Sequence, residues 1–325
     1  MSRDAEGADA VSAVSTRADA EGAAGLGQNA VSAGRFAPSP TSELHLGNLR
    51  TALVAWLMAR STGRRFLVRI EDLDTGRVAA APGVEAGQLR DLEALGLDWD
   101  GPVVRQSERL ELYAEALARL PLYECFCTRR EIAESASAPH ADGYRPYTGT
   151  CRHLTKAERE ARRGARPPAL RVDAGGASVT VHDVWHGDVS GVVDDFVVRR
   201  GDGAYAYNLA VVVDDLAQGV DQVVRGDDLL SSSPRQAWLI GRLGGTVPEY
   251  AHVPLVVNAS GRRLAKRDGA VTLADLARTR TDADGVRSLL GHSLGLNSLG
   301  EPVTASDLLA RWDPDALPRD PWVYR

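Results

Sequence analysis

The 325-residue chain predicts an α/β fold organised on a parallel sheet. Three stretches carry that expectation. Arg35-Phe36-Ala37 reads as a short strand, which Pro38 and Pro40 end because proline fixes φ and cannot donate to a ladder. Leu49, Ala52, Leu53, Trp56 and Leu57 then recur at helical spacing and predict a helix from about Leu49 to Arg60. Phe66-Leu67-Val68-Arg69-Ile70 follows as a buried strand. The order of strand, helix, strand and helix implies a right-handed parallel crossover.

The composition is that of a globular protein, with 44% hydrophobic and 25% charged residues, enough to bury one large domain or two smaller ones. No apolar run approaches membrane-spanning length. The net charge of −6 does not announce nucleic-acid binding, so any RNA contact requires a local basic patch. Residues 1–33 are rich in Ala, Gly, Ser and Asp and lack Ile, Phe, Trp and Tyr. They predict a disordered tail without the pattern of a secretory signal. Three cysteines, an odd number, fit a reducing cytoplasm and no disulfides.

The turn before the first helix ends in His45-Leu46-Gly47-Asn48. A strand, a tight turn with glycine and a helix N-terminus form a phosphate-binding arrangement, since the helix start offers unpaired N–H groups and partial positive charge. The second strand ends in Glu71-Asp72-Leu73-Asp74, with Arg77 beyond, where open α/β sheets bind ligands. Val84 to Leu97 predicts a helix, and Asp98 to Pro102 a turn. Ser107 reads as the N-cap of a further helix, with Leu110, Tyr113, Leu117 and Leu120 on its buried face.

All three cysteines fall in one segment, Cys125-Phe126-Cys127 and Cys151. Three thiolates and one more ligand make a closed tetrahedral zinc site of structural type. On chemistry alone His140 or His153 supplies the fourth ligand. Beyond it lie short strands at Leu170–Val172, Val179–Val181, Val192–Val193 and Val197–Arg200, with Gly201-Asp202-Gly203 as a hairpin turn. The run Tyr205–Asp215 fits strand or helix. Val223–Leu230 reads as a strand with charge at its end, and Ser233-Pro234 starts a helix. Leu273–Ala277 and Val286–Leu294 look helical, and Pro314–Pro321 is a proline-punctuated tail.

Several of these stretches resemble the class I aminoacyl-tRNA synthetases, and more closely their glutamyl branch. R-F-A-P-S-P-T-S-E-L-H-L-G-N (Arg35–Asn48) is similar to the first class I signature, with Ser42 in place of the usual glycine. R-I-E-D-L-D-T-G-R (Arg69–Arg77), the stretch from Asp195 to Asp215, and V-R-G-D-D-L-L (Val224–Leu230) match the branch's patterns. Ser260–Asp268 occupies the place of the second signature loop; only Lys266 matches a lysine there, Arg263 keeps a charge, and Ala265 and Arg267 replace serines.

The resemblance implies a class I Rossmann-like catalytic core with an inserted zinc-bearing acceptor-type subdomain and a short helical C-terminal region. Its parts are a catalytic first half over 34–120, the insertion over 121–190, a second half over 191–270, and 271–325 with no anticodon-binding domain. It implies that His45, Asn48 and Lys266 are catalytic, facing the ATP phosphates together with Gly47, which leaves room for the adenine. Arg35, Phe36, Ala37, Pro38, Ser39, Glu71, Tyr207 and Arg225 would form the glutamate pocket, Glu71 taking the ammonium and Arg225 a carboxylate. The family's catalytic-domain-only relatives use Cys-x-Cys followed by Tyr-x-x-x-Cys, which makes Tyr147 the fourth zinc ligand beside Cys125, Cys127 and Cys151.

The implied reaction is activation of L-glutamate by ATP with Mg²⁺, then transfer to queuosine in the anticodon of tRNA(Asp), by a cytoplasmic monomer with one structural Zn²⁺ and no membrane contact. Two rivals stand beside it: a truncated glutamyl-tRNA synthetase that charges a tRNA 3′ end, and a non-catalytic paralogue that binds nucleotide or glutamate.

Overall fold

A computed structural model describes residues 32–128, 130–132, 146–264 and 271–324. The strands are β1 (Ala33–Phe36), β2 (Arg65–Ile70), β3 (Val104–Arg105), β4 (Leu122–Cys125), β5 (Ala169–Val172), β6 (Ser178–Asp183), β7 (Gly187–Val192), β8 (Val197–Arg199), β9 (Val220–Gly226), β10 (Glu249–Val253), β11 (Val256–Val257) and β12 (Trp322–Val323). The helices are α1 (Leu46–Ser61), α2 (Thr75–Ala79), α3 (Val84–Ala94), α4 (Leu110–Ala118), α5 (Lys156–Arg163), α6 (Tyr207–Gln218), α7 (Ser233–Arg242), α8 (Leu273–Arg278), α9 (Ala283–Ser293) and α10 (Ala305–Ala310).

Seven strands form one sheet in the order β3-β2-β1-β9-β10-β6-β7. Every neighbouring pair is parallel except the β6–β7 hairpin. β4, β5 and β8 make a separate antiparallel sheet. The span expected for the insertion, 121–190, therefore divides. Its first part carries the cysteines and two strands of the small sheet, whose third strand, β8, lies beyond the span, whereas β6 and β7 extend the edge of the large one. The predicted tail, 1–33, lies outside the described residues up to residue 31; Ala33 is fully buried and opens β1, which therefore starts two residues before the expected strand.

Period-two alternation sorts the sheet's two faces. Phe36, Phe66, Val68, Ile70 and Val224 pack under α1. That helix is buried beyond its expected stripe, at Val54, Ala55, Met58 and Ala59 as well, because α9 and α10 cover its outer side. On the opposite face Arg35 and Arg69 meet α6. The run Tyr205–Asp215, ambiguous in periodicity, is helical from Tyr207, and that turns Asp214 and Asp215 toward both arginines. Asp215 accepts from Arg35 Nε at 3.2 Å and from Arg69 Nη1 at 2.7 Å. Asp214 accepts from Arg109, Gln106 and the Tyr113 hydroxyl at 2.6, 2.9 and 2.8 Å.

Several local expectations are changed or refined. Ser107 is not an N-cap; it lies in the short 3-10 turn Gln106–Glu108 and donates its hydroxyl to Asp72 at 2.5 Å. Leu110 at the start of α4 is 46% exposed, while Tyr113, Leu117 and Leu120 are buried as expected. The expected strand Val223–Leu230 stops at Gly226, and Asp227–Ser232 is a 3-10 turn leading into α7. The proline-punctuated tail is a 3-10 turn at Pro314–Ala316 followed by β12, which pairs parallel with β11.

Arg35, Arg69, Asp214 and Asp215 are all buried, so removing one partner leaves an uncompensated charge in a low dielectric. Asp215→Ala is expected to lower unfolding stability by about 3–5 kcal/mol in urea titration. A loss below about 1 kcal/mol, the level of an exposed ion pair, contradicts this assignment.

Candidate active site

The carboxyl ends of β1, β2 and β9 open into a cleft of about 470 Å³, roofed by the start of α1 and by Pro254–Val256. Arg35 to Ser39, Glu71, Tyr207 and Arg225 line it together with His45, Gly47 and Asn48. The structure thus gathers every residue expected for glutamate and ATP except Lys266, which falls outside the described residues, as do Ala265 and Arg267. The segments that flank that loop are placed beside the cleft. Leu264 N–H donates to Val256 O at 3.1 Å, and Val271 O accepts from Leu46 N–H at 2.9 Å. Arg263 lines the mouth and pairs with Asp228.

His45 is the N-cap of α1. Its Nδ1 accepts from the backbone of Gly47 at 3.1 Å and Asn48 at 3.4 Å, while Asn48 Oδ1 accepts from His45 N–H at 3.2 Å. An acceptor at Nδ1 places the imidazole's proton on Nε2. Burial, helped by Arg263, holds the ring's pKa below its usual value and so keeps it neutral. The helix start thereby presents a neutral N–H donor and backbone N–H groups, a combination suited to phosphate oxygens. A Cβ at Gly47 would come within 3.0 Å of His45 Cε1, so the space this glycine leaves is taken by the imidazole. Ser42, where the signature usually has glycine, needs no special backbone, since Arg280 alone among described non-glycine residues has positive φ.

Arg225 is 5% exposed, and no carboxylate pairs with it among the described residues. Its Nε donates to His252 Nε2 at 3.0 Å, Nη1 to Gln236 Oε1 at 2.7 Å, and Nη2 to Ser233 Oγ at 2.9 Å. Two longer contacts, to the Tyr207 hydroxyl at 3.5 Å and Leu229 O at 3.3 Å, lie with cleft-lining residues. A buried guanidinium surrounded by neutral acceptors is a site for an anion. Nearby, burial raises the Glu71 carboxyl above its usual pKa despite Arg69 and Arg35, and an incoming ammonium group would favour its ionised form.

Sequence reasoning missed the supporting residues. Gln88 of α3 donates to Ser39 O at 3.0 Å and Ser42 O at 2.7 Å, holding the proline turn. Gln236, Ser233, His252 and Asp183 were missed as well. A lone histidine within the apolar strand Tyr250–Val253 is the one available signal, because an imidazole there requires polar partners.

A second candidate centre lies in the small-sheet module. The sulfurs of Cys125, Cys127 and Cys151 all fall within 4.8 Å of one another. The Tyr147 hydroxyl is 3.5 Å from Cys125 Sγ and 3.6 Å from Cys127 Sγ, and it accepts from Cys151 N–H at 2.8 Å. Tetrahedral zinc with Zn–S of about 2.3 Å and Zn–O of about 2.0 Å spaces two sulfurs by about 3.8 Å and an oxygen from a sulfur by about 3.5 Å. The four atoms thus fit zinc. His153 is exposed and outside the cluster, and His140 lies outside the described residues. Burial, with the neighbouring Cys125 and Cys151 thiols, pushes Cys127 up to about 12, whereas Arg171 and Tyr147 lower Cys125 despite its burial; a bound cation would favour the ionised form of Cys127. Asp194 ties this module to the core, accepting from Tyr147 N–H at 3.0 Å and from Arg235 of α7 at 3.2 Å.

Comparison with known proteins places these features in one lineage. The catalytic domain of class I tRNA synthetases (E and Q) matches residues 32–290. A glutamyl-Q tRNA(Asp) synthetase of Nocardia farcinica is 58% identical over 296 residues, 90% of this chain and 92% of that protein. One from Cutibacterium acnes is 59% identical over 270 residues, 83% of this chain and 78% of that protein. A glutamate tRNA ligase of Elizabethkingia meningosepticum, solved in complex with its amino acid, superposes with a TM-score of 0.74 at 26% identity, covering 91% of this chain and 67% of that one. No described helix is long and apolar enough to cross a membrane.

His252 gives the site a pH signature. It is fully buried, and burial, with Arg225, lowers its pKa to about 4 against the opposing pull of Asp183. Unfolded, it titrates near 6.5. Above that value both states are neutral and nothing is lost. As pH falls from 6.5 to about 4 the unfolded chain takes up the proton first, so stability drops by roughly 3 kcal/mol. Urea titrations across this window are expected to show a steeper loss for the wild type than for His252→Gln; equal slopes contradict the assignment.

Proposed function

Because the chain belongs to the class I tRNA synthetases of the glutamate and glutamine branch, in the group that holds the glutamyl-Q tRNA(Asp) synthetases, we propose that it activates L-glutamate with ATP and transfers the glutamate to queuosine in the anticodon of tRNA(Asp). The observation that carries the amino-acid half is Arg225, a buried cation whose partners among the described residues are neutral, together with a helix start that offers neutral donors.

A carboxylate of glutamate takes the Arg225 guanidinium and the Tyr207 hydroxyl, and its ammonium takes Glu71. Arg35, Phe36, Ala37, Pro38 and Ser39 form the adjoining wall. His45, Asn48 and the N–H groups of α1 receive the phosphates of ATP, which enters with Mg²⁺. The α-carboxylate oxygen then bonds to the α-phosphorus, the bond from that phosphorus to the bridging oxygen breaks, and pyrophosphate leaves with the electron pair. No side chain needs to move a proton in this step. The protein's contribution is positioning and stabilisation of charge on the leaving group, to which Lys266 adds a cation. In the small module Cys125, Cys127, Tyr147 and Cys151 hold zinc as a closed structural site, which orders the loops around it.

The names of the relatives support this acceptor, and the linkage formed distinguishes it from charging of a 3′ end. Glutamate-dependent ATP–pyrophosphate exchange is expected for the wild type and is expected to fall at least about a hundredfold in Arg225→Lys, since an ammonium cannot replace the guanidinium fork. Absence of exchange in wild type and Glu71→Ala alike sinks the first step. Labelled product that keeps its glutamate after enzymatic removal of the 3′-terminal adenosine supports transfer to the anticodon; loss of the label with that nucleotide supports charging of the 3′ end.

Metal analysis tests the module separately. One zinc per chain is expected in the purified protein, and Cys151→Ser is expected to lose most of it. A wild-type protein that binds no zinc on refolding with the ion contradicts the assignment.

A further inference from the structure

Behind Arg225 a chain of polar groups crosses three adjacent strands of the large sheet, β9, β10 and β6. Arg225 Nε donates to His252 Nε2 at 3.0 Å, and His252 Nδ1 lies 2.6 Å from Asp183 Oδ2. Both His252 and Asp183 are fully buried. A guanidinium can only donate, so Nε2 must offer its lone pair and the ring's single proton must sit on Nδ1, donated to Asp183. The other oxygen of Asp183 accepts from the backbone N–H groups of Trp185 and His186, each at 3.0 Å. The carboxylate is thereby anchored to the turn that joins β6 and β7. Tyr250 stacks on the His252 ring with centroids 6.0 Å apart and an interplanar angle of 25°, which limits its rotation.

The bonds of Arg225 divide by direction. The three short ones, to His252, Gln236 and Ser233, go to residues that do not line the cleft. The two long ones, to Tyr207 and Leu229, go to residues that do. One N–H from each terminal nitrogen therefore faces the cleft in a strained or weak contact, ready to exchange for the two oxygens of a carboxylate. The Nε–H, buried and turned away, has His252 as its acceptor. With that acceptor gone or turned donor, the guanidinium must rotate to satisfy Nε–H, and the fork leaves the plane in which it meets its ligand.

We propose that Asp183 and His252 are positioning residues for substrate recognition: Asp183 holds His252 in its Nδ1–H form, and the Nε2 lone pair fixes the plane of the Arg225 fork that receives the substrate carboxylate. The inference rests on the assignment of Arg225 to glutamate made above. It extends the recognition machinery from the cleft to the β6–β7 hairpin, whose residues do not line the cleft.

The test is steady-state ATP–pyrophosphate exchange with glutamate and ATP varied in turn, on the full chain. Wild-type exchange that depends on glutamate is the control for the underlying assignment; its absence defeats that assignment, whatever the variants do. Given an active wild type, Asp183→Asn and His252→Ala are expected to raise KM for glutamate roughly ten- to hundredfold, with KM for ATP within about twofold. His252→Gln, whose amide oxygen can still accept from Nε–H, is expected to recover much of the loss. Nitrogen-15 NMR of labelled histidine reads the tautomer independently of activity, with Nδ1 protonated and Nε2 free in the wild type. Equal rises in both KM values, unchanged KM for glutamate in all three variants, or a protonated Nε2 in the wild type overturns the proposal.

Discussion

Two arginines on the sheet and two aspartates on one helix set the geometry on which the cleft depends. Arg35 on β1 and Arg69 on β2 project from the face opposite α1 and meet Asp215 of α6, while Asp214 beside it gathers Arg109, Gln106 and Tyr113 from the segment before and within α4. Buried ions tolerate little displacement, because each must keep its partner or bear the desolvation cost alone. α6 is therefore locked in rotation and height against the sheet. Tyr207 at its first turn and Arg35 at the end of β1 reach the same cleft as a consequence. A purely apolar interface of the same area would hold the layers together with less control over register.

The cleft itself separates two kinds of electrostatic work. At the α1 end, partial charges of the helix start and a neutral imidazole meet an anion without adding a formal charge to the site. At the β9 end, a full cation waits among neutral acceptors, so a carboxylate gains both a charge partner and a defined orientation. Glu71 supplies the opposite sign between Arg69 and the cleft. The arrangement suits a zwitterion with a second carboxylate beside a polyphosphate. It agrees with the lineage that the whole catalytic-domain match indicates.

Much of the site was legible because its chemistry is written in short segments. Ser39, His45, Gly47 and Asn48 of the proline turn, Glu71 at the end of β2 and the Cys-x-Cys pair are each placed by local geometry, and the cleft and the cysteine cluster contain them. Where reasoning failed, a distant neighbour was responsible. Leu110 fits a buried stripe but faces solvent, and Ser107 fits a cap but bonds Asp72, 35 residues earlier. α1 is buried on the side that its pattern leaves to solvent because α9 and α10, far along the chain, pack there.

By itself the sequence determined the opening order of strand, helix and strand, the proline turn before α1 and the identity of the residues at the carboxyl ends of β1 and β2, since proline, glycine and periodicity act over a few residues. Tertiary structure alone decided that Tyr207–Gln218 is a helix, that β6 and β7 join the large sheet, and that Arg225 is held by His252 and His252 by Asp183. Those last two contacts span 27 and 69 residues and depend on β9, β10 and β6 lying side by side. Strand order is a property of the whole packed sheet, set by which faces find apolar cover and which charges find partners, and no local pattern encodes it.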